Sequence, residues 1–204
     1  VLNVYEDFKK QTFKDFDFFV FNDVSTKAEL DKLKAINDEN FHIYTKPPPH
    51  QLPSEAMFDF MQRYIIKLSN PKYIYHFHDD MRVNSKNLLE RFINYMEEND
   101  SCGAVGSAIY NSKNTMTWGD GIVKERMGKK YIMNEAFLVR SKVYQEMGFM
   151  NKKLVFYGSE YFTFNWLALN GYSTKMLGDV SITHNSGNVS TNGGSSTNYQ
   201  NFKD

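Results

Sequence analysis

Tyr73-Ile-Tyr-His-Phe-His-Asp-Asp80 is the stretch from which the fold is read. Its first half is apolar and aromatic, and Pro71 breaks the chain just before it, so it reads as a buried strand. Side chains alternate along a strand, which places His76, His78 and Asp80 on one face and Asp79 on the other. An imidazole and a carboxylate converging at a strand mouth can bind a divalent cation and leave other coordination positions open. Carboxylate, water and phosphate oxygen suit Mg2+ or Mn2+, and a histidine tilts the choice toward Mn2+. The competing reading is that Asp79 and Asp80 only begin a turn and cap the following helix.

On either side of this stretch, short β-branched and aromatic runs alternate with segments of helical period. Asp17-Phe-Phe-Val-Phe21 is too short and continuous for a helix and reads as a strand. Thr26-Lys-Ala-Glu29 has the capping-box pattern and opens a helix with Leu30, Leu33 and Ile36 on one face. Phe41 to Thr45 is a second strand, stopped by Pro47-Pro48-Pro49, and Ser54 caps a helix carrying Met57, Phe58, Met61, Ile65 and Leu68. Beyond Asp80, a helix capped near Asn84 or Ser85 buries Leu88, Leu89, Phe92 and Met96. Ala104 to Ile109 and Tyr131 to Val139 read as strands. Ser141 caps a short helix ended by Gly148, Ser159 caps one ended by Gly171, and Lys175 to Thr183 is the last strand. This alternation means an α/β fold with a mostly parallel central sheet flanked by helices. In such sheets ligands sit beyond the carboxyl ends of the strands.

Composition narrows the class. The 204 residues suit a single domain, and 41% hydrophobic residues with 16% aromatics suffice for a core. Basic and acidic side chains balance at 24 each, which argues against a general nucleic-acid binder. One cysteine, Cys102, excludes an intramolecular disulfide framework and a cysteine-cluster metal site. Mean hydropathy is −0.55, and no apolar run approaches the roughly 20 residues of a membrane span. Val1-Leu-Asn-Val-Tyr lacks the basic start and apolar block of a signal peptide, so the expected location is cytoplasmic. Residues 1–185 read as the domain. Residues 186–204, in a stretch rich in Ser, Asn, Gly and Thr, read as a flexible tail or a linker toward a further domain.

Three more strand or helix ends carry candidate chemistry. In Phe21-Asn-Asp-Val-Ser-Thr26, Asp23 could accept from a base N–H or a ribose hydroxyl, or the segment could simply cap the next helix. In Tyr157-Gly-Ser-Glu-Tyr161, Glu160 gains from the positive end of a helix dipole and could serve as a general base. His184 follows the last strand and could be a ligand or an ordinary surface residue. Trp118-Gly-Asp-Gly121 could stack a sugar ring or merely turn the chain.

Taken in order, these blocks resemble the nucleotide-sugar-dependent glycosyltransferases of the GT-A fold, most closely the large family 2. The resemblance rests on residues 8–26, on Tyr73 to Asp80, on Asn134 to Met150, and on Tyr157 to Tyr161 followed by Leu169-Asn-Gly-Tyr172. It runs from about residue 5 to 185 in the family's order and spacing. It implies that Asp23 contacts the nucleotide base, with uracil the base it points to, and that Asn22 and Ser25 lie nearby. Arg63 falls within one position of a basic residue that faces the nucleotide. His78, Asp79 and Asp80 occupy the DxD motif, so Asp80, with His78 and His184, would hold Mn2+ or Mg2+ against the donor's diphosphate. Glu160 lies where the family carries its catalytic carboxylate.

The chain departs from the family pattern in two places. An imidazole stands at the first DxD position, and the acidic pair reads Glu160-Tyr161, which leaves Asp120 and Glu135 as other candidates for the base. The implied activity is transfer of a sugar from a nucleotide-diphosphate donor, a UDP-sugar first, to a carbohydrate or other hydroxyl acceptor, with inversion if Glu160 is the base. A retaining glycosyltransferase, an inactive nucleotide-sugar-binding module, and a metallohydrolase built on His76, His78, Asp79 and His184 are the alternatives. A sugar-phosphate nucleotidyltransferase would want a Gly-rich phosphate loop near its start, and none is visible. The Asn- and Lys-rich, Phe/Tyr-heavy wording would suit an A/T-rich genome such as that of a large DNA virus.

Overall fold

The fold is described from a computed structural model, covering residues 1–22, 25–45, 54–118, 124–126, 129–131, 136–149 and 159–185; for 54–60, 118, 124–126, 129–131 and 159–161 it describes the backbone alone. The elements are α1 (Leu2–Lys9), β1 (Phe18–Asn22), α2 (Lys27–Lys34), β2 (Phe41–Thr45), α3 (Ser54–Ser69), β3 (Tyr73–His76), β4 (Met81–Val83) and α4 (Leu88–Glu98). They continue with β5 (Cys102–Asn111), β6 (Met116–Trp118), β7 (Lys124–Arg126), β8 (Lys129–Tyr131), β9 (Phe137–Arg140), α5 (Ser141–Met147), α6 (Ser159–Leu169) and β10 (Ser173–His184). Residues 186–204, read from sequence as a tail, lie outside the described residues.

The chain starts as the sequence reading expects. β1 and β2 pair in parallel across α2, with Phe18 opposite Phe41 and their rings stacked at 5.7 Å. Thr26 and Glu29 close the capping box: the Thr26 side chain accepts from Glu29 N, and Glu29 Oε2 accepts from Thr26 N at 2.9 Å. α1, to which the sequence reading assigns no element, packs onto this unit. An eight-residue helix is marginal in isolation. It holds because Tyr5 lies against Phe18 and Phe41 while Phe8 packs edge-on against Phe77 at 5.2 Å.

The central sheet has six strands in the order β3-β9-β5-β10-β4, with β6 pairing β5. Its α/β character is as expected, but the sheet is mixed instead of mostly parallel. Among its described pairings only β5–β10 is parallel. β9 explains the difference. β3, β5 and β10 run one way, and β9 enters between β3 and β5 against both. Between β5 and β9 the described elements are short strands, and no helical crossover, which parallel neighbours require, is described there. The strand expected over Tyr131 to Val139 is accordingly two: β8 ends at Tyr131 and β9 begins at Phe137.

β5 is buried from Cys102 to Ile109, as a central strand covered on both faces must be. On one face Ala104, Phe137 and Val139 meet Ile65 of α3, Val143 and Tyr144 of α5, and Phe164 and Leu167 of α6. On the other, Val105, Ile109, Leu138 and Ile182 meet Leu88, Phe92 and Met96 of α4 and Phe8 of α1. A Cβ on Gly103 would lie 2.3 Å from Leu167 Cδ2 and 3.1 Å from Tyr172 Cβ, so any larger residue there requires Leu167 to shift.

Two caps differ from expectation. α5 begins on Arg140, whose side chain makes no cap bond, with Ser141 as its first residue. Gly148 ends it in the left-handed conformation at φ 72°, as expected. α4 begins at Leu88 without a side-chain bond from Asn87, and its N-terminus is served from afar. Gln11 Oε1 accepts from Leu89 N at 3.2 Å while Gln11 Nε2 donates to Ser85 O at 3.0 Å. The other end of α4 is closed by the buried Arg140, which donates to Met96 O, to Asn99 O at 3.1 Å and to Cys102 O at 2.8 Å. A cation suits carbonyls at a helix C-terminus.

α1 is tied to β4 by a bidentate pair. Arg82 Nε and Nη2 donate to the two oxygens of buried Asp7 at 2.6 and 2.8 Å, and Val83 N adds a third bond at 3.2 Å. Burial pushes the Asp7 carboxyl up, but the Arg82 and Val83 hydrogen bonds outweigh it and hold it below the usual carboxylate range. Asp7→Ala should therefore cost about 1–3 kcal/mol, discounted because the Arg82 side chain is partly exposed. A carboxyl depressed on folding adds stability above its unfolded pKa, near 4, and loses it as pH falls through the folded value. Denaturant midpoints should show the wild-type advantage over Asp7→Ala at pH 7 and its disappearance in acid. Gly103→Ala should destabilise by about 1–3 kcal/mol through overpacking against Leu167, read as a lowered thermal midpoint.

Candidate metal and donor site

β3 ends at His76, the chain turns through Asp79 and Asp80, and β4 starts at Met81. β10 returns antiparallel to β4, pairing Ile182 with Val83, Thr183 with Arg82 and His184 with Met81. One further bond, Asn185 N to Asp80 O at 3.1 Å, extends this register past the strand. The last residue of β10 is thereby set beside the turn, and His184 Nε2 lies 3.2 Å from Asp80 Oδ2. The His78 ring stands 6.0 Å from that of His184 at 83°.

His78, Asp80 and His184 each offer a donor atom, and these atoms all lie within 4.8 Å of one another. Asp80 is half-exposed at 49% of its side chain, whereas His184 is 15% exposed, so the site opens outward from an anchored base. The His184 hydrogen bond is the main reason the Asp80 carboxyl sits below its usual range. Burial opposes this and the neighbouring imidazoles reinforce it. Asp80 is thus held as the anion a cation needs. Two imidazole nitrogens and one carboxylate can close on a divalent cation with further positions left for oxygen ligands.

His76 does not join them. It is buried, its ring stacks on Phe137 at 5.1 Å, and its Nε2 is hydrogen-bonded to the Tyr144 hydroxyl at 2.5 Å. Burial, with the His78 charge adding to it, pushes its pKa down to about 3, so it is neutral. The alternation that would align His76 with His78 and Asp80 holds only while the strand lasts. The β3–β9 ladder stops at His76 opposite Phe137, and the turn re-aims the side chains beyond it. Asp79 is exposed and outside the three-residue group. The four-residue cluster of a His76, His78, Asp79 and His184 metallohydrolase is not assembled. Tyr144, the partner that holds His76, carries no sequence signal beyond its apolar spacing on α5.

The other candidate residues divide by position. Asn22 is buried at the end of β1, and its Oδ1 accepts from Ser25 N at 3.0 Å, fixing the turn into α2. Asp23 lies outside the described residues. Arg63, on α3, stands 4.2 Å over the Phe149 ring and donates to Gly148 O at 3.3 Å, so it engages the turn that ends α5. Glu160 falls in the first turn of α6, but its side chain lies outside the described residues, as do Asp120, Glu135 and the Trp118 side chain.

No curated protein sequence matches the chain. Solved structures do. S. aureus TarS 1–349 superposes with a TM-score of 0.70 at 16% identity, over 90% of this chain and 56% of its own, and has also been solved with UDP-GlcNAc. A Pyrobaculum calidifontis mannosyltransferase in complex with GDP-Man and Mn2+ gives 0.66 at 10% identity, over 90% of this chain and 52% of its own. GalNAc-T7 with UDP, GalNAc and Mn2+ gives 0.66 at 10%, over 89% of this chain and 40% of its own. At such identities the likeness shows the fold, which is GT-A, and the chain spans about half the length of these proteins. The sequence itself supplies the rest. The family model for glycosyl transferase family 2 matches residues 1–156, most of the chain, across β1, the His78–Asp80 turn and β9, and to that family the chain belongs.

Proposed function

We propose that this chain is the catalytic domain of a nucleotide-sugar-dependent glycosyltransferase that uses a divalent cation held by His78, Asp80 and His184. The observation that carries the reading is the convergence of these three side chains beside the end of β3 in a family 2 chain. The donor proposed first is a UDP-sugar, since two of the similar structures hold uridine nucleotides, and the acceptor is a carbohydrate hydroxyl. A cation bound there supplies positive charge where the leaving diphosphate gathers negative charge. The chain's own work is to hold that cation on two imidazoles and Asp80, and to shape the β1–α2 turn with Asn22 next to Asp23. Glu160, in the first turn of α6, is proposed as the base that takes the acceptor's proton, which would make the reaction inverting. Binding of nucleic acid does not belong to this reading, and no helix among the described residues is long and apolar enough to cross a membrane.

A thermal-shift panel of UDP, GDP, dTDP and CDP, each with and without Mn2+, tests the donor site. Ligand at a hundredfold its dissociation constant stabilises by about 2.7 kcal/mol. The expected result is a metal-dependent shift for one nucleotide, UDP, which is lost in Asp80→Ala. A shift with metal alone and none with any nucleotide would overturn the nucleotide-donor reading and leave a metal site only. The metal-dependent shift should also weaken in acid, since imidazole binds metal only when neutral.

Glu160→Gln should cut turnover by about a hundred- to ten-thousandfold while leaving the nucleotide shift in place. Single-turnover kinetics with radiolabelled UDP-sugar would read this, and an unchanged rate would move the base to Asp120 or Glu135.

A further inference from the structure

We propose that a cavity at the start of β3, at the opposite end of that strand from the candidate metal turn, binds the phosphate group of a small organic phosphate. It shares no residue with His78, Asp80 and His184, so its failure and that of the donor reading are separable.

Topology builds the cavity. β9 runs against β3 with Arg140 opposite Tyr73, so the carboxyl end of β9 meets the amino end of β3. Ser141 N donates to Lys72 O at 3.1 Å, which carries the pairing one residue past the ladder. Lys72, Arg140, Ser141 and Lys142 are thereby drawn around a space of about 380 Å³, which Asn70 and Gln145 also line. Small-ligand sites run from about 300 to 1,000 Å³, so the space holds a phosphate with an organic group attached.

Charge gives the cavity its sign. Three of its lining residues are cations and none is a carboxylate. Arg140 is 6% exposed, and its hydrogen bonds go to the carbonyls of Met96, Asn99 and Cys102 and to the Tyr73 hydroxyl, so no carboxylate bonds it. A buried charge is ordinarily paired with an opposite one. Lys72 has a counter-charge in Glu97, whose two oxygens accept from its Nζ at 2.6 Å. Lys142 is exposed, and its Nζ stands 5.6 Å over the Tyr172 ring with no carboxylate paired to it among the described residues. Positive charge is left over on both sides of the cavity.

Ser141 is the independent observation. It is 4% exposed, and its Oγ is buried with no hydrogen-bond partner. Buried hydroxyls are normally bonded, and an orphan in a cavity wall is a donor available to a ligand's acceptor. A phosphate monoester presents three strong acceptor oxygens, enough for Lys72, Lys142 and Ser141 together, whereas a carboxylate presents two.

Isothermal titration calorimetry on the intact chain, with EDTA to keep metal from the other site, tests this with glycerol 3-phosphate, inorganic phosphate and glycerol. Both phosphates should bind, the ester more tightly, and glycerol should not. Lys142→Glu should weaken phosphate binding by at least about tenfold, since a like charge replaces a charge-assisted donor. Ser141→Ala should weaken it by about threefold or more while the thermal midpoint of the unliganded chain stays level or rises, because the hydroxyl removed has no partner there. Asp80→Ala should bind phosphate as the wild type does. Inorganic phosphate binding more tightly than the ester would overturn the organic ligand and make free phosphate the occupant. No binding of either phosphate to the wild type, equal binding to wild type and Lys142→Glu, or loss of binding in Asp80→Ala would overturn the site.

Discussion

The β4–β10 ladder is the contact on which the candidate site depends. It is short, pairing Val83, Arg82 and Met81 with Ile182, Thr183 and His184, yet it brings together residues far apart in the chain, such as Asp80 and His184. What keeps so brief a ladder in register is its surroundings. Met81 and Ile182 are fully buried beneath it. Arg82 is clamped by Asp7 of α1 from the other side. Past the ladder, Asn84 N donates to Ser181 O, Ser85 Oγ accepts from Ser181 N, and the Asn84 amide bonds the Thr183 hydroxyl. A one-residue slip would turn His184 to the other face, so register and the convergence of His184 on Asp80 are one constraint.

The same economy appears at three buried polar side chains of the core. Arg140, His76 and Gln11 are buried, and each is bonded to backbone or to a side chain from a distant element. Arg140 closes the C-terminus of α4, Gln11 serves its N-terminus, and Tyr144 holds His76 at the point where β3 stops. A buried polar group left without a partner costs about 1–3 kcal/mol, so each of these bonds resists displacement of the elements it joins. The strands that carry the site are thus held by both apolar contact and directional bonds, while Asp80 stays half-exposed. Rigid support with an open rim is what a site needs if it is to take a charged ligand from water.

Chemically, the site differs from a cluster of carboxylates. Asp80 is held below the usual carboxylate range chiefly by its hydrogen bond to His184, and it is the one carboxylate among the three candidate donors. Repulsion among these three side chains is correspondingly smaller than among three carboxylates. The cost of the arrangement is sensitivity to protons, because each imidazole must be neutral to ligate.

Much of this was legible in the amino-acid sequence because it depends on local chemistry. The Thr26–Glu29 capping box, the left-handed Gly148 and the apolar run through β5 follow from residue types and spacing, and the order of blocks from residue 8 onward identified the family. The sequence also named His78 and Asp80 as candidate ligands, from strand alternation and from the resemblance, and His184 from the resemblance. Tertiary structure decided the rest. α1 forms because Tyr5 and Phe8 find aromatic partners far along the chain; α4 is capped from Gln11; the sheet is mixed because β9 enters against β3 and β5. His76 shows the limit most plainly. Period-two alternation assigned it to the site, but alternation is a property of a continuing strand, and only the fold determines where a strand stops. Beyond that point a side chain goes where its long-range partners hold it, and for His76 those partners are Tyr144 and Phe137.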